Sequence, residues 1–281
     1  MSDTVLITGS SSGYGEATAK LFAARGWNVV ATMRNPADGK ALAALKNVIV
    51  NRLDVQDRKS IDLAITEGID RFGRIDAVVN NAGYGLLSVF EAAPREAIQK
   101  NFDVNVLGAM DVMRAILPHF RANRSGTIIV MSTAAGAVGV AGESLYCASK
   151  FALEGFSEAV SYELEGLGIK IKIIEPGSAP GTGFTARAQR ERAGFVIPDD
   201  YKAFTRHAAQ LYAEILRSAD SGAIDKVVES IFAAATDGTD QLRYVPNEDA
   251  RQVLAARRDS SEEAYMALMR NFNRPQLETA K

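Results

Sequence analysis

Six short stretches of the chain are apolar without alternating: residues 5–8, 29–32, 48–53, 77–80, 128–131 and 171–174, all rich in Val and Ile. A half-buried strand alternates apolar and polar positions, whereas an unalternated run of this length suits a strand covered on both faces of a parallel sheet. Longer stretches at 16–25, 58–72, 95–117 and 148–167 carry apolar residues at helical spacing instead. In the last of these, Phe156, Val160, Leu164 and Leu167 fall on one face. Strand and helix alternate through six repeats, which implies right-handed crossovers. The expected fold is therefore α/β: one doubly wound, mostly parallel sheet with helices on both faces, in a single domain over residues 1–281. No fixed-period repeat, low-complexity tract or linker interrupts the pattern, but the alternation lapses after Gly181.

Composition agrees with one large domain. The 281 residues are 47% hydrophobic and 23% charged, enough for a sizeable core. Lys and Arg total 32 against 34 Asp and Glu, so no broad basic field is available for nucleic acid or an anionic membrane. One cysteine, Cys147, excludes an internal disulfide and suits a reducing compartment. An apolar run starting at Val5 leaves no room for a signal peptide ahead of it. Residues 125–142 carry no charge, yet their glycines, alanines and hydroxyls are too weakly apolar for a membrane span. A soluble cytoplasmic protein is the expectation.

Directly behind the first apolar run lies LITGSSSGYGEA, residues 6–17. Glycine loses the most backbone freedom on ordering, so Gly9, Gly13 and Gly15 must answer a need for close approach. A strand-to-helix turn aims backbone N–H groups and the helix dipole at one spot, which favours an anion such as a pyrophosphate. A Walker loop is disfavoured because Glu16 follows Gly15 where a Lys-Ser/Thr pair is needed.

The spacing Thr8-Gly9-x-x-x-Gly13-x-Gly15 resembles the short-chain dehydrogenase/reductase family, whose fold is Rossmann-like. Further motifs follow in that family's order: Asp54 and Val55 after the third strand, NNAG at 80–83, NVLG at 105–108, YCASK at 146–150 and EPG at 175–177. The resemblance covers residues 4 to about 180, and YCASKFAL, ATMRNP and IEPG resemble the steroid- and retinol-dehydrogenase-like members. It implies an oxidoreductase moving a hydride between a nicotinamide cofactor and a carbonyl or secondary alcohol. The cofactor would touch Gly9, Ser11, Gly13, Tyr14, Gly15, Arg34, Asp54, Val55, Asn81, Ala82, Gly83, Pro176 and Gly177. It also implies a homodimer or homotetramer.

Tyr146 and Lys150 stand four apart at a helix start, on one face. A free phenol titrates near ~10, too high for proton transfer at neutral pH, and an adjacent ammonium lowers that value. The resemblance adds that Lys150 holds the nicotinamide ribose and that Asn105 anchors a water passing protons to solvent. The family's catalytic serine position, thirteen before the tyrosine, is Thr133 here. Its hydroxyl can still donate to a carbonyl; Ser132, one step earlier along the strand, faces the other way and is the fallback.

The cofactor's identity depends on the end of the second strand. An acid there would bind the ribose hydroxyls of NAD, but none appears before Asp38, beyond Pro36. Arg34 stands there instead and can clamp a 2′-phosphate, with Ser11 adding a hydrogen bond, so NADP is expected and NAD is the alternative. Segment 181–220, with Phe184, Phe195, Val196, Ile197 and Phe204, is expected to cover a small apolar carbonyl or alcohol substrate. Arg187, Arg190 and Arg192 either greet an acidic substrate or form a solvated helix face, and Met266 and Met269 suit a core or interface. With only His119 and His207 in the chain, a metal site has thin support. Two other classes share parts of the pattern: a regulator that binds NADP without turnover, and a sugar-nucleotide epimerase or dehydratase.

Overall fold

A computed structural model describes residues 2–178, 180–219 and 222–273. Seven parallel strands form one sheet: β1 (Thr4–Ile7), β2 (Asn28–Met33), β3 (Val48–Arg52), β4 (Ala77–Asn80), β5 (Gly126–Met131), β6 (Ile169–Ile174) and β7 (Arg243–Tyr244). Their order is β3-β2-β1-β4-β5-β6-β7. The chain leaves β1 to one side for β2 and returns to its other side with β4, so the sheet has its switch point between β1 and β4. Crossovers run through α1 (Gly13–Ala24), the short α2 (Lys40–Ala43), α3 (Arg58–Phe72), α4 (Arg95–Phe102) leading into α5 (Gly108–Asn123), and α6 (Ser144–Leu164).

The unalternated strands are explained by two cores. Leu6, Val30, Val78, Ile128 and Val130 face one layer of helices. Their neighbours Val5, Ile7, Val29, Ala31, Val79 and Ile129 face the other. Side chains alternate in direction, but both directions are dry, so most positions are apolar and the few polar ones are small and uncharged. Lys172 in β6 is the exception. Its fully buried amine donates to the Thr239 and Gln241 carbonyls at 2.7 and 3.0 Å and to the Tyr244 hydroxyl at 2.9 Å.

The structure revises the sequence reading in two places. The stretch 95–117, expected as one helix, is α4, a π-helical turn at Asp103–Leu107, and α5. The sixth strand is also followed by a seventh, because β7 is two residues long and too short to register as a pattern. Beyond β6 lie α7 (Phe184–Glu191), α8 (Lys202–Ser218), α9 (Ala223–Thr236), α10 (Glu248–Asp259) and α11 (Glu262–Asn273). The expected cover 181–220 thus contains α7 and α8, while its last residue, Asp220, lies outside the described residues. No described helix is long and apolar enough to cross a membrane.

Candidate active site

The ends of β1 to β6 beyond which the crossovers begin open onto one cleft of about 850 Å³. Gly9, Ser11, Gly13, Tyr14, Arg34, Asp54, Val55, Asn81, Ala82, Gly83, Thr133, Tyr146, Lys150, Pro176 and Gly177 all line it. Residues spread over 169 positions of sequence meet there because parallel strands present all their C-terminal ends on one side.

The three glycines do different things. Gly9 has φ +70°, and a Cβ on it would come within 3.0 Å of the Ala82 backbone. Gly13 has φ +59° and faces the cleft, with Thr182 3.6 Å from where its Cβ would stand. Gly15 does not line the cleft, contrary to its expected place among the cofactor contacts: a Cβ there would collide with the Gly9 carbonyl and the Asn81 amide. It lets α1 close against the turn. The NNAG loop is bolted to the same turn, since the backbone N–H groups of Asn81 and Ala82 each donate to Thr8 Oγ1 at 3.0 Å. Asn81 Nδ2 donates to the Thr8 and Gly9 carbonyls at 2.8 and 3.1 Å.

On the opposite wall, Tyr146 and Lys150 occupy the first two turns of α6, both buried. The Phe184 ring packs on the Tyr146 ring at 5.4 Å. Lys150 Nζ donates to the Met131 carbonyl at 2.6 Å and lies 5.9 Å from the Tyr146 ring centre. Burial pushes the Lys150 amine down to about 8, opposed by the Glu154 carboxylate one turn on. Burial, and then the charge of Glu143, push the Tyr146 phenol up from its ordinary value. The lowering expected from the neighbouring ammonium is absent here, because that ammonium is turned to the Met131 carbonyl.

Asn105 lies in the π-helical turn and does not line the cleft. Its Oδ1 accepts from the Tyr84 N–H at 3.0 Å, while Nδ2 donates to the Tyr84 carbonyl at 2.9 Å and to Ser149 Oγ at 3.1 Å. The side chain holds the loop after β4, so a water anchored by it would have to displace one of these bonds. Thr133 caps the turn Ala134–Gly136; its Oγ1 donates to the Pro176 carbonyl at 3.2 Å and accepts from the Ala135 N–H at 3.4 Å. Ser132 is buried and lies instead beside Gly136 and the Glu154 carboxyl.

Several expectations about the cover change. Of its five apolar residues, Phe184 alone lines the cleft, and Val196 is 85% exposed. The apolar lining comes from Leu211 and Ile215 of α8 and from Leu268, Met269 and Phe272 of α11. Arg187 is spent within the protein, 3.6 Å from Glu191 and 4.4 Å over the Tyr84 ring. Cys147 is buried, and its thiol is pushed up to about 11, which suits packing rather than attack. The described residues contain no cluster of three or more His, Cys, Asp or Glu that could hold a metal ion.

Sequence reasoning missed the C-terminal supports. Asn247 Oδ1 accepts from the Gly177 N–H at 3.1 Å, and Asp249 Oδ2 accepts from the Ser178 N–H at 2.8 Å. Arg258 holds the fully buried Glu175 through two bonds of 2.7 and 2.9 Å. Nothing in the chain marks these residues, because the strand before them is so short. Glu143 also lines the cleft, and its signal was its place three residues before Tyr146.

The profile of the short chain dehydrogenase family matches residues 3–193, through the glycine turn, the NNAG loop and the Tyr–Lys pair. The chain belongs to this family. Among short-chain dehydrogenase relatives, an uncharacterized oxidoreductase of Schizosaccharomyces pombe is 36% identical over 239 residues, covering 85% of this chain and 98% of that protein. The 17-beta-hydroxysteroid dehydrogenase type 1 of Mus musculus is 34% identical over 282 residues, covering 94% and 80%. A short-chain dehydrogenase from Streptomyces avermitilis superposes with a TM-score of 0.80 at 27% identity over 96% of this chain and 98% of that one. A short-chain dehydrogenase/reductase from Burkholderia phymatum, solved in complex with NAD, shares the fold with a TM-score of 0.78 at 23% identity, covering 92% of each chain.

Proposed function

We propose that the protein is an NADP-dependent oxidoreductase interconverting a small apolar carbonyl compound and its alcohol, with Tyr146 as the acid and base. The observation that carries this reading is the pairing, across one cleft, of a glycine turn at a helix start with Tyr146 and Lys150. The residues present fit such a cofactor. The turn over Ser11, Ser12 and Gly13 leaves open space where a pyrophosphate needs N–H donors, and Gly13 has no side chain to block it. The nicotinamide, when bound, supplies or accepts the hydride.

The chain's own groups handle the rest. Tyr146 gives its phenolic proton to the developing alkoxide, or removes it in the reverse direction. Lys150, turned from the Met131 carbonyl toward the phenol and the ribose, favours the phenolate. Thr133 donates to the substrate oxygen once its hydroxyl leaves the Pro176 carbonyl. Phe184 and the apolar walls of α8 and α11 exclude water.

For NADP over NAD, the support is Arg34. It is exposed at the cleft edge, makes no ion pair among the described residues, and sits close enough to Arg187 for their charges to repel. An anion relieves that repulsion. Asp38, the next acid along the chain, accepts from Asn35 Nδ2 at 3.1 Å beyond the turn. The homodimer or homotetramer that the family resemblance implies has a candidate face in exposed Leu107 and Phe151. The test pairs turnover with binding: NADPH consumption is followed over a panel of aldehydes and ketones, and both nucleotides are titrated against Arg34→Ala. The NADPH dissociation constant should rise about 10- to 100-fold and that of NADH should stay put, since a charge-assisted bond is worth about 1.5–3 kcal/mol. Equal loss for both nucleotides would remove the NADP assignment.

A further inference from the structure

Hydride transfer leaves the cleft carboxyl of Glu143 without a task. Glu143 precedes α6 immediately and lines the cleft three residues ahead of Tyr146. Among the described residues its carboxyl has no hydrogen-bond or ion-pair partner. Burial alone pushes it up to about 7, and no cation offsets that rise. The titratable groups within reach of its charge are Tyr146 and Cys147 on α6 and Tyr212 on α8, all neutral at neutral pH. The cations elsewhere in the cleft are engaged or distant: Lys150 with the Met131 carbonyl, Arg187 with Glu191. Val140, Phe184, Leu211, Met269 and Phe272 line the same cleft, in which Glu143 is itself half-buried.

A carboxyl held in such surroundings without a partner is costly, and the cost is relieved when a ligand brings the missing charge. We propose that Glu143 recognises an ammonium group, so that the site takes amphipathic amino alcohols and the amino ketones they yield on two-electron oxidation. The reading rests on the hydride transfer proposed above. The carbinol carbon loses its hydride to the nicotinamide and its hydroxyl proton to Tyr146, while the ammonium stays intact beside Glu143. The hydrocarbon chain lies along Leu211 of α8 and Met269 and Phe272 of α11. A neutral donor gives Glu143 a hydrogen bond but no counter-charge, which makes the ammonium the better partner.

The test is calorimetric titration of the protein–NADP complex with 1-amino-2-octanol, 1,2-octanediol and 2-octanol at pH 8 and pH 6. At pH 8 the carboxyl is ionised, and the amino alcohol should bind at least about tenfold more tightly than either neutral alcohol. At pH 6 Glu143 takes up a proton while the amine keeps its own, so the preference should shrink. Glu143→Gln should bring the ratio close to one at both pH values, and Glu143→Met serves if the glutamine variant does not fold. Equal affinities, a diol that matches the amine, a preference that survives Glu143→Gln, or no binding of any of the three overturns the proposal. Absorbance of reduced nicotinamide reads the chemistry separately. Amine-selective binding without turnover sinks the hydride reading and leaves the recognition standing, whereas turnover without selectivity sinks the recognition alone.

Discussion

Two adjacent hydroxyls test how far a single residue decides the chemistry. Thr133 and Ser132 both line the cleft, but Thr133 Oγ1 rests on the Pro176 carbonyl while Ser132 lies toward Glu154. Thr133→Ala should lower kcat about 10²-fold or more by removing a donor to the oxyanion, and Thr133→Ser should keep it. Ser132→Ala should change kcat little. If the two alanine variants exchange effects in steady-state assays, the assignment is off by one residue. Glu143 offers a second residue-level test, in stability. Its carboxyl is raised from 4.5 to about 7 on folding. The folded state therefore binds a proton that the unfolded chain has released, and stability declines as pH rises from about 4.5 to 7. The decline should reach up to about 3 kcal/mol, and denaturant titrations of Glu143→Gln should show that part of the slope gone.

At the scale of elements, the glycine turn and the NNAG loop behave as one unit. Replacing a helical glycine by alanine ordinarily stabilises by up to about 1 kcal/mol. Gly15→Ala should do the opposite, costing about 2 kcal/mol, because its methyl meets the Gly9 carbonyl and the Asn81 amide. Thermal unfolding would show the loss, and nucleotide titration should show NADH and NADPH weakened alike. A stabilised variant would mean that the turn is not packed this way. The π-helical turn is the other element-level feature. It was invisible to a reading that assumes 3.6 residues per turn over 95–117, because the extra residue is accommodated by packing of Asn105 against Tyr84 and Ser149.

At the scale of the whole molecule, the last third of the chain supports a site whose recognised motifs all lie before residue 178. Asn247 is buried and bonded to the Gly177 N–H, with its own amide donating to the Ala223 carbonyl at 3.4 Å. Asn247→Ala leaves that N–H without its partner and frees the loop after β6. Affinity for both nucleotides should fall about tenfold in equilibrium titrations, with no change in their ratio. A changed ratio would place Asn247 near the 2′-phosphate instead.

What could be read from the chain was local and periodic. Runs such as Val5–Thr8 declare a strand because both faces of a parallel sheet exclude water, and Gly9, Gly13, Tyr146 and Lys150 mark the family by their spacing. Six strands, the sheet's parallel sense and the family followed from that. The tertiary structure alone decided that Gly15 packs inward, that Asn105 is committed to backbone, and that Lys150 faces the Met131 carbonyl. It also decided that Leu268, Met269 and Phe272 wall the cleft, and that Asn247, Asp249 and Arg258 hold the loop after β6. Most of these contacts join residues far apart in the chain, and no periodicity records which polar side chain will meet which distant backbone group. That pairing is set only when the sheet brings its strand ends together and the remaining helices close over them.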